Sequence, residues 1–499
     1  MVSVCFRRGH MECSARPSRS TGFPDCHRTP CTVGDVKRTI LTAIVVAAMV
    51  ALTAFSVTAF GFHDPKHGTG LLLCTAGLWL LFALAVILLR RVPVRAAIVL
   101  VVAGSVLLGG AAMAGPPNTS TDSARYAWDG IVQDAGISPY AYVPVADELA
   151  HLRTDWLFPT PRENADGTHS CLEPRTHKTS GIPSGDPLCT AINRSKVNTI
   201  YPPTSELYFA GVRLLVPPSA AYWPLQLTGL LLSVGVTVLL ITAMRRRGID
   251  PRWAALWAWS PLVATEAVTN SHVDVLASLL VVVATLAVSR GFRWRGGIAL
   301  GAAIAAKLIP VIAAPALLKK QPWKVILAAV ATFALLYVPY VVMSGFGVLG
   351  YLPGYLSEEG YDDGSRFALL SIGLPGSASI VVAAALIAVA TGLAWWKSDA
   401  SAPWLAQLAL VGSILIIVSP RYPWYALLMI PFIVLSRRWE WFAVPLALSW
   451  RMTMPTLAVT RTGLAVAALI VIGAWLYRRR RGRAVASGTP QATPPAVPA

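Results

Sequence analysis

Charge is what this sequence has least of. Only 13% of its 499 residues are Asp, Glu, Lys or Arg, where an ordinary soluble domain carries roughly 25%. With 55% hydrophobic residues and a mean hydropathy of +0.58, the apolar segments are too numerous for one water-soluble core. Disorder of the bulk chain is excluded as well, because it requires low hydrophobicity. Several motifs are missing. There is no Walker A pattern, so nucleotide hydrolysis has no cradle, and there is no GxSxG, HExxH or paired CxxC. A dinucleotide-binding pattern is missing too, which argues against a soluble nucleotide-sugar site. Acids are the scarcer charge, 24 against 42 Lys and Arg, for a net +18. In a soluble protein that excess would suggest nucleic acid. In a membrane protein it can mean only that cytoplasmic loops are basic.

What is abundant is long apolar runs. About 20 apolar residues in a helix cross a hydrocarbon core of roughly 30 Å. Windows of that kind fall at 39–60, 69–89, 96–114, 222–244, 253–270, 272–289, 324–344, 378–396, 403–419, 423–436, 440–456 and 462–477. The expected fold is therefore an all-α polytopic membrane protein with about 12 transmembrane helices, since lipid cannot satisfy an open strand edge. Two further stretches are not simple spans. Residues 204–216, closed by Pro217-Pro218, read as a helix lying along the membrane surface. Residues 297–318, interrupted at Lys307-Leu308-Ile309-Pro310, read as a broken or re-entrant hairpin.

With both termini in the cytoplasm, every turn obeys the positive-inside rule. The inner segments then hold 28 basic residues and 6 acids, a net +22, and the rest of the chain nets −4. The basic excess is thus topological, and no nucleic-acid partner is implied. The expected divisions are a disordered basic head at 1–38, three helices over 39–114, a large outer loop domain at 115–221, a transmembrane core at 222–477, and a basic then disordered tail at 478–499. An upstream extension of the true start is one reading of residues 1–32. The loop 345–377 carries an acidic knot, Glu358-Glu359 with Asp362-Asp363. The location implied is a plasma membrane, with a lipid bilayer around a multi-pass chain.

Seven cysteines divide three ways. Cys171 and Cys189 share the large outer loop, an oxidising setting in which they are expected to pair. Cys74 lies in a span. Cys5, Cys13, Cys26 and Cys31 sit in the Arg-rich head at spacings that do not match paired zinc ligands.

Five constellations could carry chemistry. The first opens the outer loop, Thr121 to Gln133. There Asp122, Arg125 and Asp129 would share one helix face. Asp can deprotonate a hydroxyl, Arg can hold a phosphate bidentately, and Tyr126 and Trp128 can stack on a sugar or anchor at the interface. A plain helix start, with Asp122 capping and pairing with Arg125, fits the same spacing. The second closes the loop, Asn193 to Pro203, and includes Lys196 and Tyr201. The third is the turn with Glu266, Asn270, His272 and Asp274, where ionisable groups face a cavity or a solvated turn. Lys307 is the fourth; buried it needs a partner, snorkelling it needs none. The fifth is Ser419 to Tyr425, with Arg421 among aromatics.

These segments resemble the multispanning glycosyltransferases of the GT-C fold, and most of all the actinobacterial branch of family 87, which includes polyprenyl-phosphomannose-dependent α-mannosyltransferases. The resemblance is carried by Asp122 to Tyr140, by Leu152 to Asp155, and by Asn193 to Pro203. Weaker support comes from Asn270 to Asp274, Ala306 to Pro310 and Pro423 to Tyr425. It implies a GT-C-like fold and a catalytic acid at the start of the first large outer loop, which here is Asp122. Relatives often show two acids in a row where this chain has Thr121-Asp122, so one base remains. The loop here follows the third span, so the first two read as an N-terminal addition.

The resemblance further implies that a polyprenyl-phosphate sugar, mannose by analogy, is the donor, and that a glycolipid or glycan is the acceptor. Transfer would be a single inverting displacement. Arg125, Lys196, Lys307 or Arg421 would offset the leaving phosphate. Asp129, His272 and Asp274 would orient sugar hydroxyls, or hold a divalent metal if one is needed. Tyr126 and Trp128 would form an aromatic wall. A lipid-linked sugar flippase would instead show pseudo-repeats and midplane charges. A non-catalytic assembly protein would give no reason for the acid-Arg-aromatic cluster.

Overall fold

A computed structural model describes residues 10–13, 26–29, 33–60, 68–173, 175–179, 182, 184–374 and 376–487. The protein is an all-α polytopic membrane protein. Among the described residues, seven helices are long and apolar enough to cross a membrane. They are Val33–Ala59, Gly68–Leu89, Val94–Ala112, Trp223–Arg245, Pro322–Ser344, Ser377–Lys397 and Leu457–Ser487. An eighth exists if Val263–Thr269 and Asp274–Ser289, bent by 113°, form one span.

The expectation of about 12 spans is thereby corrected. Five of the apolar windows hold helices that are shorter or broken. Residues 253–270 divide into Pro251–Ala254, Ala255–Ala258 and a π-helical stretch, Val263–Thr269. The window at 403–419 keeps only Trp404–Val418, and 423–436 divides into Pro423–Leu428 and Ile430–Ser436. Proline explains much of this, because Pro261, Pro423 and Pro431 each remove a helical N–H donor at a break. Hydropathy counts apolar residues but is blind to such interruptions.

The interrupted stretch 297–318 has the expected break. Helix Arg293–Ile304 ends before Lys307, and two 3₁₀ turns, Ile309–Ala313 and Pro315–Leu317, return the chain. In the head, strands His10–Cys13 and Cys26–Thr29 pair antiparallel where disorder was expected. Cys5 and Cys31 lie outside the described residues, as does the tail beyond Ser487.

Segment ends expected on one side of the membrane do meet. The Arg252 guanidinium donates to Val92 O, Arg247 donates to Ser289 Oγ and lies over Trp404, Lys319 donates to Trp396 O, and Arg478 pairs with Glu440. The outer loop gathers at the opposite ends of the same helices. Its backbone is helix Asp122–Asp134 packed on helix Pro203–Arg213, with two small hairpins held by a Cys171–Cys189 disulfide.

An acid at the first turn favours the helix start at Asp122, and Gly136, at φ +77°, ends it. Gly130 lets the two helices touch, since a Cβ there would meet Phe209 O at 2.6 Å. Trp128, Ile131, Val132, Leu149 and Leu157 form the apolar core of this domain. Helix Pro203–Arg213 was expected to lie along the membrane surface. Its Phe209 and Val212 are buried and Ser205 Oγ donates to Ala306 O at 2.5 Å. Leu207, Leu214 and Leu215 stay exposed, so one face packs between the loop domain and the broken hairpin while the other remains open.

Candidate functional site

A cavity of about 420 Å³ opens where the outer domain meets the broken hairpin. Its polar wall includes Asp122, Arg125, Asn193, Arg194, Tyr201 and Lys307, and its apolar wall includes Leu308, Ile309, Ile312, Leu356, Ile414 and Val418. Irregular backbone at the Lys307–Ala313 break is tolerated because it lines this cavity.

Asp122 stands on the polar wall with its side chain 18% exposed. Asn193 Nδ2 donates to its Oδ1 at 2.6 Å. Its Oδ2 lies 3.7 Å from Nε2 of His272, which is fully buried. On the other side of the imidazole, Nδ1 faces two acceptors of Glu266, the backbone O at 3.2 Å and Oε2 at 3.1 Å. Nδ1 must therefore carry the hydrogen, leaving the Nε2 lone pair turned toward Ser120 Oγ and Asp122. The ring also stacks on Trp424, with centroids 3.8 Å apart. Asn270 completes the support, donating to Thr119 Oγ1 at 2.6 Å and to Glu266 Oε2 at 3.1 Å. The π-helical turn and the positive φ of Ser271, +57°, aim Glu266, Asn270 and His272 together.

Arg125 and Asp129 form a buried ion pair, Nε to Oδ1 at 2.8 Å, and Arg125 Nη1 also donates to Val197 O. Its Nη2 has no protein partner although the residue lines the cavity. Asp129, 1% exposed, does not reach the cavity. Beside it, Glu206 accepts from Thr199 Oγ1 and from Gln133. Burial pushes the Glu206 carboxyl well above its ordinary range, and the Asp129 charge adds to this. Burial raises Asp129 as well, against the opposing pull of Arg125.

Lys307 Nζ donates to Asp274 Oδ2 at 2.5 Å and lies 4.9 Å from the Tyr425 ring centre. Lys307 lines the cavity; Asp274 is buried behind it. Arg194, held at φ +50°, pairs with Glu358 at 2.8 Å across the short helix Leu352–Glu358. This helix roofs the cavity with Tyr351, Leu352 and Tyr355.

Several expected positions fall elsewhere. Tyr126 is fully buried and stacks on Phe209 at 4.4 Å, and Trp128 packs on Phe158, so both are core residues and not an aromatic wall. Tyr201, Tyr422, Trp424 and Tyr425 line the cavity instead. Lys196 is exposed and away from it, whereas the preceding cation, Arg194, faces it. Arg421 is 47% exposed at the rim beside Glu359; the cavity cation there is Arg366, which pairs with Glu359. Asp129, His272 and Asp274 hold neighbouring side chains instead of facing the cavity. Among the described residues no group of three His, Cys, Asp or Glu side chains gathers closely enough for a metal. Asn193 and Glu206 were not singled out as site residues, because their partners are distant in sequence and nothing local marks them.

Fold and site together define a multi-pass membrane protein with a half-apolar cavity where the loop domain meets the broken hairpin. The model of glycosyltransferase family 87 matches residues 199–420, and that match supports a membrane glycosyltransferase. The match covers Tyr201, Glu206, Glu266, His272, Asp274 and Lys307; Asp122 lies before it. Comparison with curated proteins and with solved structures gave no match.

Proposed function

We propose that this glycosyltransferase moves a sugar from a polyprenyl-phosphate donor to a glycolipid or glycan acceptor at the outer face of the plasma membrane. Mannose is the sugar that the family resemblance favours. Both termini lie in the cytoplasm in this reading, supported by the basic segment ends that meet opposite the cavity. The carrying observation is Asp122, an acid on the polar wall of a cavity whose opposite wall is aliphatic. A lipid chain fits the aliphatic side, and a phosphate fits among Lys307, Arg125 and Arg194.

Asp122 takes the acceptor hydroxyl proton as that oxygen attacks the anomeric carbon. The bond from that carbon to phosphate oxygen breaks, and the electron pair leaves with the polyprenyl phosphate. One displacement with one base inverts the anomeric centre. Asn193 holds the Asp122 side chain, and His272 Nε2 stands 3.7 Å from Asp122 Oδ2. Arg125 Nη2 and Arg366 Nε are cavity cation donors without a protein partner. The test is membrane vesicles given polyprenyl-phosphomannose and acceptor. Asp122→Asn keeps the Asn193 contact yet lacks the base, so transfer should fall by about 10²-fold or more. Full retained transfer overturns the role of Asp122.

A further inference from the structure

Glu266 also lines a second cavity, of about 50 Å³. Its wall takes Thr53 and Ser56 from the first long helix, Thr75 from the second, and Asn118 and Ser449 from elsewhere. Two atoms on this wall lack a protein hydrogen-bond partner, Asn118 Oδ1 and Ser449 Oγ. Those residues are only 5% and 7% exposed. A buried polar atom without a partner is uncommon and points to bound water. At about 10–15 Å³ for each water, the chamber has room for a few.

Glycosyl transfer leaves one proton on Asp122 at each turnover. While products fill the main cavity, that proton needs another way out. We propose that Glu266 and the small chamber form that way, a proton exit behind the site; this rests on the proposed function and deepens it. The proton on Asp122 Oδ2 passes to His272 Nε2 across 3.7 Å, which a shift of about 0.8 Å brings to hydrogen-bond length. The Nδ1 proton then moves to the Glu266 carboxylate at 3.1 Å. Glu266 yields it to water in the chamber, which leaves the imidazole hydrogen on Nε2, and rotation of the ring about Cβ–Cγ restores the starting tautomer for the next turnover. No other co-reactant takes part. The first two long helices thereby gain a role in the reaction, since their hydroxyls keep the chamber wet.

The test uses the full chain in vesicles with polyprenyl-phosphomannose and acceptor, read as kcat, KM and solvent isotope effect. Thr53→Val combined with Ser56→Ala dries the chamber. It should lower kcat about 10-fold, less than the roughly 10²-fold loss of a direct acid–base group, with both KM values unchanged and a larger isotope effect. Thr53→Ser should restore the rate. Glu266→Gln should act in the same direction and decides the matter if the drying variant fails to fold. Wild-type kcat and isotope effect in the dried protein overturn the proposal, as does a loss confined to KM. Asp122→Asn runs in parallel. If it is inactive while the dried variant is wild type, only the exit route fails; if it transfers normally, the catalytic reading fails first.

Discussion

Lys307 shows how one side chain serves site and fold together. It pairs with Asp274 while facing the cavity. Removing one partner of a buried pair leaves an uncompensated charge, at a cost of about 3–5 kcal/mol. Lys307→Met should therefore lower the melting temperature and raise the donor KM. Lys307→Met with Asp274→Asn should recover the melting temperature but not the KM, and recovery of both would remove Lys307 from donor binding. Glu206 carries a pH signature. Its folded-state pKa is raised above the ordinary 4.5, so the folded domain holds a proton that the unfolded chain has released. Stability is then fully present below about pH 4.5 and is lost as pH rises through the folded value. Melting temperatures measured across pH should fall for the wild type and flatten for Glu206→Gln; parallel curves would contradict this. The residue types of the site were legible because Asp122, Arg125 and Lys307 are rare charges in an apolar chain. Their orientations were not. Tyr126 and Trp128 looked like a sugar wall, yet their helix face meets Phe209 and Phe158, contacts across long sequence separations that periodicity does not encode.

At the scale of elements, the seven long helices were visible as hydropathy windows, and the shorter and broken ones were overcounted because hydropathy does not register the prolines at their breaks. The 113° bend that sets His272 behind Asp122 depends on a π-helical turn and a positive φ at Ser271, neither of which has an apolar signature. The disulfide-closed loop ends at Cys189, four residues before the Asn193 that holds Asp122. Closing a loop of this size stabilises a fold by about 3 kcal/mol. Reduction, or Cys171→Ser with Cys189→Ser, should lower the melting temperature of the outer domain and lower transfer with it. Unchanged transfer would show that Asn193 is held by its local packing alone. The roof helix meets the outer domain closely, since a Cβ on Gly350, at φ +52°, would collide with Thr199 O. Gly350→Ala should displace the roof and raise KM for both substrates.

The whole molecule is organised by charge. In the proposed orientation a net +22 falls on inner segments against −4 elsewhere, and the basic segment ends at Arg252, Arg247 and Lys319 each contact another segment end, Val92, Ser289 and Trp396. The proposed topology rests on charge placement, which acts through segment ends and not through detailed packing. In a background with the other free cysteines replaced, Ala135→Cys should react with an impermeant thiol reagent on intact cells, and Lys320→Cys only after lysis. The reverse pattern would put the cavity on the wrong face for a lipid-carried donor. The central claim joins that face to one carboxylate. Its most direct test is transfer from polyprenyl-phosphomannose in sealed vesicles of known orientation, comparing wild type with Asp122→Asn at matched protein and matched melting temperature. Transfer on the outer face by the wild type, with at least about a 10²-fold loss in the variant, is the expected result. Equal transfer by both proteins would contradict it.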